Sequence, residues 1–212
     1  MLYGCTYSES FLTGGKKSRF LMATVRMCSE INRILHDMIP YPQNWDCLPN
    51  KLALKISEKP AVKANKRWLN EEQAKYLEMV DDLKKNARIE GEFNYGSYYK
   101  ALGPFVRKHS TGNCGEYCSV ACNLMIKRGT DSQRIRLVSG WLEGEGNNHI
   151  CLAVDVAADA DPTDPTTYGP GCVICDPWLD LVATPAEYFA CLREIECPFR
   201  PDALLTLTDA PG

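Results

Sequence analysis

The stretch Thr111-Gly112-Asn113-Cys114-Gly115-Glu116-Tyr117-Cys118 decides how this chain is read. A Gly-Asn turn is followed by apolar residues Tyr117, Val120, Ala121, Leu124 and Met125, which share one side of a helix, and by Gly129 as a stop. The pattern predicts a helix over residues 114–127 that opens on a cysteine. A thiol there sits at the positive end of the helix dipole, beside backbone N–H groups that have no partner within the helix. Such a setting favours the nucleophilic thiolate.

Downstream, three runs read as strands: residues 134–142, 149–156 and 171–174. The Gly-rich segment 143–148 makes the first two a hairpin, and 157–171 is an Asp, Pro, Thr and Gly loop. A further helix is predicted to start at Thr184-Pro185-Ala186-Glu187, where Thr caps and Pro suits the first helical position. Upstream, residues 1–18 read as a flexible lead-in. Apolar residues from Phe20 to Met38 recur at helical spacing over 19–38, and Pro40 stops that helix. Residues 40–60 read as a Pro-rich loop. Residues 60–87 read as a second helix, broken near Asn70, where Asn70-Glu71-Glu72-Gln73 looks like a cap. The aromatic, Gly-rich segment 91–103 is expected to be a loop or short turns. No internal repeat is visible. The fold class expected is α+β: a helical N-terminal region over 19–103, then a helix followed by antiparallel strands over 104–212, in one compact unit.

Composition narrows the function. The chain has 212 residues, 45% hydrophobic and 24% charged, and a net charge of −3, so it can bury one substantial core. That charge gives no electrostatic case for nucleic acid or an anionic membrane as partner. No apolar run approaches the ~20 residues of a membrane-spanning helix. The N-terminus lacks the pattern of a cleaved secretory signal. Eleven cysteines, an odd number, read as free and mostly buried thiols of a reducing compartment rather than as a disulfide framework. A protein exported without a cleaved signal has the same composition.

Two residues complete a chemical set with Cys114: His149 in Asn147-Asn148-His149-Ile150, and Asp176 in Ile174-Cys175-Asp176-Pro177-Trp178. A cysteine hydrolase or acyltransferase needs a thiolate, a base to take and return its proton, and a group to orient that base. His149 at the start of a strand is the expected base. Asp176, closing the next strand, is expected to hold Nδ1 and leave the other ring nitrogen for sulfur. The N–H of Cys114 is one candidate oxyanion donor and the Asn113 amide a second; Gly115 lines the same turn. Trp141 and Trp178 border the site in sequence and read first as packed aromatics, with a channel wall as the second reading. Cys118, Cys122, Cys151, Cys172, Cys175 and Cys191 read as core residues. Cys114, Cys118 and Cys122 share a helix face that His149 could complete as a metal site, but their spacing is not that of zinc knuckles. No metal or cofactor is expected.

The start Gly112-Asn113-Cys114-Gly115-Glu116-Tyr117, a His opening a strand and an Asp-Pro closing the next together resemble the transglutaminase-like branch of the papain-like cysteine enzymes. The resemblance covers residues 111–181. It implies a nucleophile helix packed on an antiparallel sheet, with Cys114, His149 and Asp176 as nucleophile, base and orienter. It implies action on a protein amide, by deamidation, proteolysis or transamidation, as in bacterial toxin and effector domains of that branch that act on host proteins in the cytosol. Residues 19–103 would then serve substrate recognition. A non-catalytic interaction protein on the same fold is the alternative. Oligomeric state and the identity of the substrate stay open.

Overall fold

The computed structural model describes residues 15–38, 41–42, 78–83, 85–89, 92–93, 95–109, 111–142, 147–195 and 197–207. The expected lead-in up to residue 14, most of the 40–60 loop and the cap at Asn70 lie outside them. The elements are α1 (Gly15–Met38), β1 (Tyr41–Pro42), β2 (Arg88–Ile89), β3 (Glu92–Phe93), α2 (Tyr95–His109), β4 (Thr111–Gly112) and α3 (Cys114–Lys127). They continue with β5 (Ile135–Leu142), β6 (Asn147–Val154), β7 (Val173–Asp176), β8 (Leu181–Ala183), α4 (Pro185–Glu194) and β9 (Phe199–Thr206). Residues 78–83 and 85–86 are also helical. Mixed helix and antiparallel sheet make this an α+β chain. Among the described residues, no helix is long and apolar enough to cross a membrane.

The main sheet has the order β8-β7-β6-β5-β9, every neighbouring pair antiparallel. β6 is central, and Cys151, Leu152, Ala153 and Val154 on it are fully buried, as a strand covered on both faces requires. Consecutive strand residues point to opposite faces, so β7 shows what covers each face. Cys175 meets Asn32 of α1, whereas Asp176 meets Tyr188 of α4. α1 and α4 therefore lie on opposite sides of the sheet. α1 turns Cys28, Ile31 and Leu35 inward at 0% exposure, at helical spacing. Burying each of the two larger side chains stabilises the fold by about 1.5–3 kcal/mol.

Several expectations need correction. Segment 91–103 is not a loop throughout, since α2 starts at Tyr95 and runs through Gly103 and Pro104. Its aromatic residues are helical packing residues: Tyr98, Tyr99, Leu102 and Val106 are buried. A Cβ on Gly103 would collide with the Asn123 side chain, so this glycine is a contact point where α2 presses on α3. Ser119 Oγ and Asn123 Nδ2 of α3 both donate to the Tyr99 carbonyl, each at 2.8 Å. The expected division at residue 103/104 falls inside this helix. α1 begins at Gly15 rather than at residue 19. Strands β8 and β9 were not anticipated, because β8 has three residues and β9 contains Pro201, which is tolerated at a sheet edge. β6 ends at Val154 because Asp155 turns to φ 63° and takes Arg134 in a two-pronged ion pair of 2.6 and 2.8 Å. The remaining helices follow expectation closely: α3 spans residues 114–127 and α4 starts after Thr184.

Candidate active site

The local sequence at α3 aims Cys114 into the site. Asn113 is the N-cap, its side-chain oxygen accepting the Gly115 N–H at 3.1 Å, while Glu116 reaches back to the Asn113 N–H at 3.0 Å. This reciprocal cap takes the N–H groups of Gly115 and Glu116 and does not use that of Cys114. One turn on, Cys118 donates its thiol to the Ile150 carbonyl at 3.3 Å, which fixes the helix against β6. β4, just before the cap, pairs in parallel with β1. The turn that carries Cys114 is thus held on both sides.

His149 lies on β6 opposite Gly140 of β5. β5 is bulged between Ser139 and Gly140 where it pairs with β9. A Cβ on Gly140 would run into the backbone of Arg200 and Pro201, so the close approach of β9 requires glycine there. The His149 ring is 1% exposed, with Phe199 edge-on at 5.3 Å and Trp178 tilted against it at 5.6 Å.

Asp176, 0% exposed, is the most heavily constrained group. Its Oδ2 accepts from His149 Nε2 at 2.6 Å and from the Tyr188 hydroxyl at 2.7 Å. Its Oδ1 accepts the Leu179 N–H at 3.0 Å, so the Asp176-Pro177-Trp178-Leu179 turn fastens the carboxylate to its own backbone. Asp180 closes that turn in the left-handed region at φ 58°, which Asp tolerates better than most residues. Behind the turn, Asn32 Nδ2 donates to the Asp176 carbonyl at 3.4 Å.

The ring nitrogens are used the other way round from expectation. Extending the register Leu152↔Cys175 by one residue sets Asp176 across from Cys151, diagonal to His149. The distal Nε2 spans that diagonal to Asp176, and the His149 side chain also interacts with Cys114. Burial pulls the His149 pKa down, but the Asp176 charge and hydrogen bond, with that of Cys114, outweigh it and raise it from 6.5 to about 10. The Asp176 carboxylate thus keeps the buried imidazole protonated in the vicinity of Cys114.

All nine cysteines among the described residues are free thiols, and only Cys114 is not buried. Burial raises Cys118, Cys151 and Cys172 above the usual thiol range, Cys172 to about 12. Cys175 is also raised, by its hydrogen bond with Cys28 and then by burial. Among the described residues, no group of three or more His, Cys, Asp or Glu side chains is disposed to hold a metal ion.

The structure therefore brings Cys114, His149 and Asp176 together, with Asn113 and Gly115 in the turn and Trp178 on the histidine. The Asn113 side-chain oxygen serves the helix cap. Trp141 stands apart. It follows Gly140 on β5, so its side chain alternates to the face away from His149, and it is 50% exposed. Tyr188, Asn32 and Phe199 were not read as site residues. They come from α4, α1 and β9, and no motif links them to residues 111–181. Comparison of the sequence with models of known protein families and with curated proteins finds no match in either.

Proposed function

We propose that this protein is a cysteine-dependent hydrolase or acyltransferase acting on a protein amide, built on a papain-like, transglutaminase-like core. The observation that carries the reading is the position of His149, hydrogen-bonded to the buried Asp176 through Nε2 and interacting with the Cys114 side chain. A histidine buried only for packing has no need of a fully buried carboxylate on one side and a half-exposed thiol on the other.

In this reading the Cys114 sulfur attacks the amide carbon, and the carbonyl oxygen takes up the negative charge. The Cys114 N–H, left out of the cap, is a donor for that oxyanion. The C–N bond then breaks, and the proton on His149 Nδ1 passes to the departing nitrogen. A thioester on Cys114 remains. Water adds to it as His149 Nδ1 takes the water proton, and the C–S bond breaks to release a carboxylate. From a glutamine side chain the leaving group is ammonia, and from a peptide bond it is an amine. A lysine amine in place of water gives transamidation. The setting we propose is that of a bacterial effector or toxin acting on a host protein, which rests on the resemblance of residues 111–181 to that branch.

The test uses iodoacetamide at neutral pH, with labelling of each cysteine read by peptide mass spectrometry. Cys114 is expected to label far faster than the buried thiols, and His149→Asn to remove that advantage. Labelling of Cys114 at the rate of the others would sink the enzyme reading in favour of an interaction protein. With a reactive Cys114 in hand, ammonia release, amine incorporation and chain cleavage on glutamine-containing peptides separate the three reactions.

A further inference from the structure

Tyr188 is a buried titratable side chain of the site that the mechanism above does not use. We propose that Tyr188 is a positioning residue of the site, whose hydroxyl holds the Asp176 carboxylate and sets how strongly it grips the His149 imidazolium. This rests on reading Cys114, His149 and Asp176 as the catalytic set.

The geometry is specific. The Tyr188 hydroxyl donates to Oδ2 of Asp176 at 2.7 Å, the same oxygen that accepts His149 Nε2 at 2.6 Å. Two donors sharing one oxygen compete for its charge, so the tyrosine moderates what the histidine receives. Tyr188 is itself fixed. It is 0% exposed, on a helix capped by Thr184 and Glu187 with Pro185 in its first turn. Its ring meets Phe189 at 5.2 Å and Phe199 at 6.5 Å, and Phe199 in turn meets His149. Tyr188 also hydrogen-bonds Cys151 of β6. Hydrogen bonds therefore run from Tyr188 through Asp176 to His149, with Cys151 and Cys114 interacting at the two ends.

Among the described residues, several other titratable groups face this network. Cys118 of α3 interacts with Asp176, Cys151 and Cys114, Cys175 of β7 with Asp176, Tyr99 of α2 with Cys114, and Cys172 and Tyr168 with Cys151. Burial first, and the Asp176 charge second, push the Tyr188 ionisation well up. The hydroxyl therefore keeps its proton and remains a donor where the histidine titrates.

A purely structural tyrosine would affect stability alone, so the test reads titration. The rate of Cys114 alkylation by iodoacetamide is followed against pH. The upper step of that curve marks loss of the imidazolium proton, which frees the thiolate. Tyr188→Phe keeps the ring, and Leu179 still holds Oδ1, so the carboxylate stays anchored. Its Oδ2 then serves His149 alone, and the upper step is expected to move up by about half to one pH unit. Site-specific 3-fluorotyrosine at position 188, a stronger donor, is expected to move it down. Two folded variants whose upper step stays at the wild-type position, with only melting temperature changed, would overturn the proposal. A wild-type Cys114 no more reactive than the buried thiols would overturn the catalytic reading first, and this inference with it.

Discussion

Cys114 and Cys118 stand one turn apart on the same helix, yet the fold gives them different surroundings. Cys114 occupies the first turn, half-buried, with its backbone N–H left out of the cap and its side chain interacting with His149. Cys118 is fully buried, its thiol spent on the Ile150 carbonyl. Burial first, then the nearby Asp176 charge, hold Cys118 in its protonated form. In the proposed reading, the contrast separates the nucleophile from a core thiol. Position on an amphipathic helix is common to both residues, and neither thiol is reactive on that account. The difference lies in the first-turn backbone and in a partnered histidine, which only Cys114 has.

The strongest way to break this comparison is to remove each sulfur in turn. Cys114→Ala is expected to abolish turnover of any amide substrate, a loss of about 10⁴-fold or more in kcat. Cys118→Ala is expected to leave the alkylation rate of Cys114 within about threefold and to cost roughly 1–2 kcal/mol of stability from the small cavity it opens. Urea unfolding and alkylation kinetics on the two variants measure both quantities. A Cys118→Ala protein with wild-type stability but no Cys114 reactivity would reverse the roles assigned here.

A second, smaller effect comes from the group that makes the two cysteines differ. Asp176→Asn keeps the size of the side chain and removes the charge that holds the His149 proton. Alkylation of Cys114 at neutral pH is expected to fall by about 10²-fold or more, in line with the usual weight of an oriented acid–base group. Labelling of Cys118 should not change. Unaltered Cys114 kinetics in this variant would mean that the thiol owes its reactivity to the helix N-terminus alone.

The parts of this site that were legible in sequence are those with local causes. Asn113 three residues before Glu116, and Thr184-Pro185 before Glu187, are helix starts whose capping side chains lie within one turn. The hairpin of β5 and β6 follows from two apolar runs around a Gly-rich turn. What was not legible has non-local causes. Gly103 and Pro104 disfavour a helix locally, and only the packing of α2 on α3, down to Asn123 against Gly103, explains one. β9 exists because the bulged β5 accepts it at Gly140, where a side chain would not fit. Tyr188 reaches Asp176 from a helix 12 positions further along the chain, and such a distance carries no motif. The assignment of Nε2 to Asp176 follows from strand register, which residue spacing alone does not fix.

The smallest effect concerns stability and sharpens the comparison from the protonated side. The His149 pKa is raised in the folded protein from 6.5 to about 10, so the folded state binds a proton that the unfolded chain releases above about pH 6.5. By linkage, the stability contributed is fully present below about pH 6.5 and is lost as pH rises through about 10. Melting temperature should therefore fall across that window. Each kcal/mol lost corresponds to about 2–4 °C for a domain of this size. Other groups titrate there too, so the informative quantity is the difference between variants. Asp176→Asn should flatten the slope, because His149 then has no carboxylate to hold its proton. Cys118→Ala should keep it, because a buried thiol that stays protonated across most of this range contributes little to the slope. Equal slopes for Asp176→Asn and wild type would mean that the imidazolium is not the form held in the folded protein. Cys114 would then face a neutral ring, and its advantage over Cys118 would reduce to exposure.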